Sequence, residues 1–189
     1  MIYSITYQTG CSSSLVALHE ACRALHAGEC SSAIVGGTNL IFTPTMTTTM
    51  SDNMVMAHDG RCRTFDKEAN GYGRGEGINA IYIKPLRTAL RDRDRIRAVI
   101  RATATNCDGK TPSITTPGSS TQKQLITTAY QTANIDQITD TPFFELHGTG
   151  TKVGDVAETS VIADLFSGEQ GTYIGTVSAE WISGRTTID

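Results

Sequence analysis

Cys11 and His147 are the residues of this sequence whose type and setting could do chemistry. Cys11 sits where an apolar stretch, Ile2 to Tyr7, meets a helical pattern, with Thr9-Gly10 before it and Ser12-Ser13-Ser14 after it. The unpaired N–H groups and the positive dipole end of a helix N-terminus favour thiolate at such a place. Gly10 permits a tight turn that a Cβ would obstruct. A nucleophile on a sharp strand-to-helix turn follows the logic of the nucleophile elbow. The competing reading of Cys11 is a buried structural cysteine beside a helix cap. His147 ends an apolar run and precedes Gly148-Thr149-Gly150-Thr151, small residues that leave room for a substrate. Its imidazole could donate a hydrogen bond to a thioester or enolate oxygen, or shuttle a proton. The competing reading is a surface histidine with its polar atoms satisfied. His19 and His26 lie two turns apart on one helix stripe and read as structural, and His58 falls in a loop without an assigned role.

The elements that must position these residues alternate between strand and helix. Ile2 to Tyr7 reads as a strand leading to Cys11, and Leu15, Leu18, Cys22 and Leu25 recur at helical spacing, with Gly28 as the stop. Ala33 to Val35 is a short strand, which Asn39 to Phe42 continues or pairs with. Pro44 to Gly77 has weak periodicity and reads as a long loop, functional or packed over a site. Ile78 to Ile83 returns as a strand, and Pro85 opens a short helix, Leu86 to Arg91. Residues Ile96 to Ala104 alternate with period two and predict a strand. A helix is expected over Thr121 to Ala133, with Leu125, Ile126, Ala129 and Ala133 inward. Phe143 to Leu146 forms a strand that delivers His147. A helix follows from Gly154-Asp155, with Val161, Ile162, Leu165 and Phe166 inward, and Thr172 to Val177 is a last strand. Repeated strand–helix alternation predicts a layered α/β fold with a mainly parallel sheet. The boundary between two α/β lobes falls near Arg95.

Bulk properties narrow the function classes. A chain of 189 residues with 39% hydrophobic and 19% charged residues is that of an ordinary globular protein. The net charge of −3, and the interruption of the basic run Arg91 to Arg101 by Asp92 and Asp94, give no nucleic-acid footprint. No apolar run is long enough for a membrane span, and the first residues lack the features of a signal peptide. The 5 cysteines are odd in number and have no C-x-x-C spacing, which argues against a disulfide scaffold or a zinc site and for a reducing, cytoplasmic setting. No metal is expected. The glycines of Gly71-Tyr72-Gly73-Arg74-Gly75-Glu76-Gly77 do not fit a dinucleotide fingerprint, because they precede a strand instead of opening a helix.

Several stretches, taken in order, resemble the ketosynthase (β-ketoacyl synthase) domain of polyketide synthases, especially the iterative fungal kind. They are Thr9-Gly10-Cys11-Ser12-Ser13-Ser14-Leu15-Val16-Ala17-Leu18-His19, Gly28-Glu29-Cys30, Val35-Gly36-Gly37-Thr38-Asn39-Leu40, Asp59-Gly60-Arg61-Cys62-Arg63-Thr64-Phe65-Asp66, Gly71 to Gly77, Asn106-Cys107-Asp108-Gly109-Lys110 and Glu145-Leu146-His147-Gly148-Thr149-Gly150-Thr151. The resemblance implies a thiolase-like fold, a layered α/β/α/β/α sandwich of which this chain holds part. It divides the chain into 1–95, the remainder of an N-terminal lobe with the nucleophile, 96–177, the start of a C-terminal lobe, and 178–189, a tail outside the family pattern. It implies that Cys11 takes an acyl chain from the phosphopantetheine thioester of an acyl carrier protein, and that a malonyl-type extender loses carbon dioxide and condenses with it. His147 matches the first of two catalytic histidines. Glu158 matches a buried acid that holds the site together, with Thr149 and Thr151 in support, and Arg74 and Glu76 match a loop close to the site, as a structural ion pair. No cofactor is bound directly; the phosphopantetheine arm is a substrate carrier. The strand Ile2 to Tyr7 matches one that the complete domain uses to form a homodimer.

The sequence departs from the family after Val177. There the family continues into a lysine and then Asn-Ile-Gly-His, whereas this chain reads Ser178-Ala179-Glu180-Trp181-Ile182-Ser183-Gly184-Arg185. Such a break is the mark of a reading-frame shift or an unspliced intron. The family's first elements and its glycine-rich oxyanion loop are not matched. Two alternatives to a working condensing enzyme follow: a catalytically inactive fragment that acts only by pairing with other chains, and a cysteine thioester hydrolase using Cys11 and His147. A sheet lacking neighbours is expected to expose apolar faces and to aggregate.

Overall fold

The helical spacing of Leu18, Cys22 and Leu25 produces α1, Ser13–Ala27, in this computed structural model, which describes residues 4–113, 116–166 and 171–176. Gly28 ends α1 in the left-handed conformation (φ 76°), and its N–H and that of Glu29 return to the carbonyls of Leu25 and Ala24. Leu15, expected inward, is 67% exposed, so the half-buried stripe of α1 begins a turn later, at Leu18.

Two compact units make up the chain, one from Met1–Ile41 with Gly75–Thr105, the other from Phe42–Arg74 with Asn106–Asp189. In the first unit, β1 (Ala33–Asn39) pairs antiparallel with β2 (Gly77–Ile83), Ala33 opposite Ile83 and Asn39 opposite Gly77. Side chains alternate across a strand pair. Val35 is buried on one face of the pair, where Gly37 lets Ser14 of α1 come close: a Cβ on Gly37 would lie 3.1 Å from the Ser14 Cβ. Ile34, Ile78 and Tyr82 stand on the opposite face, and all three are exposed. After β2, Pro85 caps α3 (Leu86–Arg91), and Lys84 binds the carboxylates of Asp92 and Asp94 just beyond it.

The second unit contains α2 (Thr45–Asp52), α4 (Ser119–Thr132), β3 (Phe143–Glu145), α5 (Lys152–Leu165) and β4 (Tyr173–Gly175). β3 and β4 run parallel, Phe143 beside Tyr173 and Glu145 beside Gly175. The core of this unit is Leu146, Ile162 and Phe166, joined by Phe65, Ile126, Tyr130, Phe144 and Ile174. The Phe166 ring meets Tyr130 edge-on at 5.9 Å and Phe144 at 5.4 Å. Burial of this aromatic and aliphatic surface stabilises the unit by roughly 25 cal/mol for each Å² removed from water.

Four sequence expectations change. Helix α2 lies inside the stretch expected to be irregular; Pro44 supplies its first carbonyl, which accepts the Thr48 N–H at 2.8 Å. Its Thr- and Met-rich sequence has no apolar stripe, so periodicity could not reveal it. Residues 4–7 and 96–104 form no strand. The alternating pattern of Ile96 to Ala104 gives two faces, but a strand exists only where a neighbour takes its ladder bonds, and none does among the described residues. In place of the mainly parallel sheet expected, the described strands form two pairs, one antiparallel and one parallel, because local alternation carries no information about strand direction. Val177, the end of the last expected strand, and the tail from Ser178 lie outside the described residues, as do Ile2 and Tyr3.

Candidate active site

Cys11 belongs to the first unit. It lies in a single 3-10 turn, Gly10–Ser12, that runs directly into α1. Gly10 enters this turn at φ +70°. The turn is laced by short hydroxyl bonds. Ser13 Oγ donates to the Gly10 carbonyl at 2.7 Å and accepts the Thr9 N–H at 2.9 Å, while Ser12 Oγ donates to the Thr9 carbonyl at 3.0 Å. Run after run of serine therefore serves to bend and fix the backbone around Cys11. Cys11 is exposed, which removes the reading of a buried structural thiol. Cys62 is the buried cysteine of the chain's described residues; Cys22 is half-buried, and burial pushes its thiol pKa up. His19 Nδ1 is 2.8 Å from the Thr103 hydroxyl.

His147 belongs to the second unit. β3 alternates so that Leu146 enters the core and His147, next in sequence, emerges exposed. The Leu146 N–H donates to the Gly175 carbonyl at 2.8 Å, which ties the end of β3 to β4. The turn that follows is fixed from every side. Glu158 of α5 receives the His147 N–H on Oε1 and the Gly148 N–H on Oε2, each at 2.8 Å. Thr176 Oγ1 donates to the His147 carbonyl at 3.1 Å. Thr149 and Thr151 bring their hydroxyls within 3.2 Å of each other. Gly148 and Gly150 are both left-handed, at φ +53° and +65°, and a Cβ on Gly150 would meet the Gly71 carbonyl at 2.8 Å.

The segment Asp59 to Tyr72 packs on this turn. The Gly71 N–H donates to the Gly150 carbonyl at 2.8 Å, and Thr64 Oγ1 donates to the Gly148 carbonyl at 2.6 Å. Asp155 joins this segment to the turn. Its Oδ2 accepts the Phe65 N–H at 2.7 Å and its Oδ1 accepts the Gly150 N–H at 3.1 Å, with the side chain buried. Phe65 has φ +61°, a strained conformation for a bulky residue, and the Asp155 bond holds it there. Asp155 and Thr64 were not singled out from the sequence. The only signal was an aspartate in the first turn of a helix that follows a glycine turn, which reads equally well as a helix-dipole residue.

Arg74 and Glu76 do not form the expected ion pair. Arg74 donates to Thr47 Oγ1 at 2.9 Å, and Glu76 accepts the Ile41 N–H. A groove of about 320 Å³ between the ends of α4 and α5 is lined by Ser119, Ser120, Lys123, Ser160, Val161 and Asp164, none of them a predicted site residue. Among the described residues no group of three His, Cys, Asp or Glu side chains could hold a metal, and no helix is long and apolar enough to cross a membrane.

The first unit thus presents an exposed cysteine on a 3-10 turn at a helix head, and the second an exposed histidine on a clamped turn after a parallel strand. The chain matches the "Beta-ketoacyl synthase, N-terminal domain" over residues 3–89 and the "Beta-ketoacyl synthase, C-terminal domain" over residues 97–181. The chain belongs to the β-ketoacyl synthase family. It is 54% identical, over 98% of its length, to the highly reducing polyketide synthase gloL of Glarea lozoyensis, and 51% identical over the same share to VdtX of Byssochlamys spectabilis. It spans 8% and 9% of those proteins. Among solved structures it superposes on the ketosynthase from module 6 of the bacillaene synthase of Bacillus subtilis with a TM-score of 0.85 at 38% identity, covering 89% of this chain and 31% of that one. The oxazolomycin ketosynthase domain OzmH KS7 from Streptomyces albus gives a TM-score of 0.87 at 36% identity, covering 93% and 31%. The thiolase-like α/β fold expected from the sequence is therefore the fold of this chain, over about a third of a ketosynthase.

Proposed function

We propose that this chain carries the nucleophile and one histidine of a decarboxylative condensing enzyme. In this reading the Cys11 thiolate attacks the thioester carbonyl of an acyl group carried on the phosphopantetheine arm of an acyl carrier protein. The acyl–Cys11 bond forms and the carrier thiol leaves. A malonyl-type thioester then loses carbon dioxide, and the electrons of the broken C–C bond become an enolate. The enolate attacks the acyl–Cys11 carbonyl, the new C–C bond forms, and the C–S bond to Cys11 breaks to return the thiolate. His147 donates a hydrogen bond to the oxygen on which the enolate charge develops. Fixed donors aimed at such charge are worth roughly 3–4 kcal/mol each. Glu158 fixes the backbone of that histidine, and Thr149 and Thr151 buttress the turn. Pairing of two copies through the first strand, and a cytoplasmic setting, belong to the same reading, as does the division of the chain at residue 95.

The observation that supports it most is the exposed Cys11 thiol on a turn whose backbone the neighbouring serines fix. Incubation with an acyl N-acetylcysteamine thioester tests it: intact-protein mass should rise by one acyl group, mapped to Cys11 and lost in Cys11→Ala. Acylation that persists in Cys11→Ala would assign the nucleophile elsewhere.

A further inference from the structure

The peptide groups on either side of Gly148 are held through both polar atoms of that residue, from two different segments. Its N–H goes to Glu158 of α5, and its carbonyl receives the Thr64 hydroxyl at 2.6 Å. A hydroxyl has one proton, and Thr64 spends it on Gly148. Cys62 Sγ, 3.3 Å from Thr64 Oγ1 and 3.5 Å from the Gly148 carbonyl, is left to donate its weaker S–H to one of the two. Thr64 also contributes through its methyl group: a Cβ on Gly148 would lie 2.7 Å from Thr64 Cγ2, so that methyl sits directly against the left-handed residue. The Thr64 backbone is tied down through the next residue, Phe65, which gives its N–H to buried Asp155 and packs its ring against the core. A donor on a fixed support can fix what it touches.

We infer that Thr64, seconded by Cys62, is a positioning residue for His147: it holds the Gly148 carbonyl and so sets the direction in which the imidazole leaves the turn. The inference rests on the reading of His147 as the donor to the enolate oxygen. Thr64 touches no reacting atom; it acts through Gly148. Its two contributions separate cleanly. Thr64→Val keeps the shape and the methyl but removes the hydroxyl, and Thr64→Ser keeps the hydroxyl but removes the methyl.

The test uses the full chain and two readouts. Amide hydrogen exchange at His147 and Gly148 is compared with that at Val161 and Ile162 of α5 as an internal control. Decarboxylation of a malonyl N-acetylcysteamine thioester is followed in parallel, with His147→Ala as the reference. Thr64→Val is expected to speed exchange at His147 and Gly148 about fivefold while leaving α5 unchanged, in line with one lost hydrogen bond. It is expected to lower kcat about tenfold with KM unchanged, since a misdirected donor loses transition-state contact and not ground-state binding. Thr64→Ser should recover most of both losses. Unchanged exchange in Thr64→Val overturns the inference. So does faster exchange with unaltered kcat, provided His147→Ala abolishes turnover. If His147→Ala itself leaves turnover intact, the catalytic reading of His147 fails, and exchange alone still decides whether Thr64 holds the turn.

Discussion

The Glu158 carboxylate lies 2.8 Å from the His147 backbone nitrogen, and its second oxygen lies 2.8 Å from the nitrogen of Gly148. Both bonds are to backbone amides, not to the imidazole. An acid in the second turn of α5 thereby fixes the backbone of a histidine eleven residues earlier in sequence.

Glu158→Gln tests this clamp. An amide offers one acceptor oxygen and presents an NH₂ group to the second backbone N–H, so one of two charge-assisted bonds becomes a donor–donor contact. The expected cost is about 1–3 kcal/mol of stability, with faster hydrogen exchange at His147 or Gly148. Differential scanning calorimetry and exchange on the same sample check it. A melting temperature and exchange pattern equal to those of the parent would show that the clamp holds nothing.

Asp155 should matter more to stability than Glu158, because it is buried and joins two segments. Asp155→Ala strands the Phe65 and Gly150 amides and releases a phenylalanine held at φ +61°. Unsatisfied buried amides cost about 1–3 kcal/mol each, so a loss on the order of 2–5 kcal/mol is expected from urea titration. The loss should come with increased protease sensitivity in the segment 59–72. A loss under half a kcal/mol, by the same rule of magnitude, would mean that water replaces the carboxylate at no cost.

How much of this was written in the sequence varies with the range of the forces involved. The helices α1, α4 and α5, the strand before His147 and the glycine stop after α1 follow from local spacing, and the structure has them within a few residues. The pairing of His147 with a fixed turn was legible because glycine and threonine at successive positions have few other uses. Asp155 and Thr64 were not, since each acts across roughly 90 residues of chain, Thr64 on Gly148 and Asp155 on Phe65. No local period records that a hydroxyl will meet a distant carbonyl. The segment Ile96 to Ala104 shows the converse. Its alternation is as clear as that of β2, yet a strand requires a partner, and a partner is a property of the fold and not of the segment.

The outer face of the β1–β2 pair carries a second consequence. Ile34 stands opposite Tyr82, with Ile78 further along the same face, at 77%, 62% and 72% exposure. Contiguous apolar surface of this kind drives self-association. The chain is expected to bind a hydrophobic dye and to grow in light-scattering radius with concentration. Ile34→Thr with Ile78→Lys should reduce both while leaving the helix signal of circular dichroism unchanged, since neither side chain contributes to packing. A concentration-independent radius for the parent chain would refute this.

Acid sensitivity should enter through the segment that covers the His147 turn. Arg63 reaches Asp59 with both terminal nitrogens, and the Arg61 N–H adds a third bond to the same carboxylate. The Arg63 hydrogen bond, first among these causes, and the Arg61 amide hold the Asp59 carboxyl at a pKa of about 2. An unfolded aspartate titrates near 3.9. The folded value is the lower one, so the stabilisation from this pair is fully present above the unfolded pKa and is lost as pH falls from about 4 to about 2. Both side chains are solvent-accessible, and salt screens such a pair, so the effect is local and weakens with ionic strength. Carboxyl NMR should place the Asp59 midpoint near 2 at low salt and higher in molar salt, and Arg63→Gln should return it towards 3.9. A midpoint near 3.9 in the parent chain would mean that the Arg63 contact does not persist in solution, and the segment 59–66 would then owe its order to the core packing of Phe65 and to its bonds with the His147 turn and Asp155.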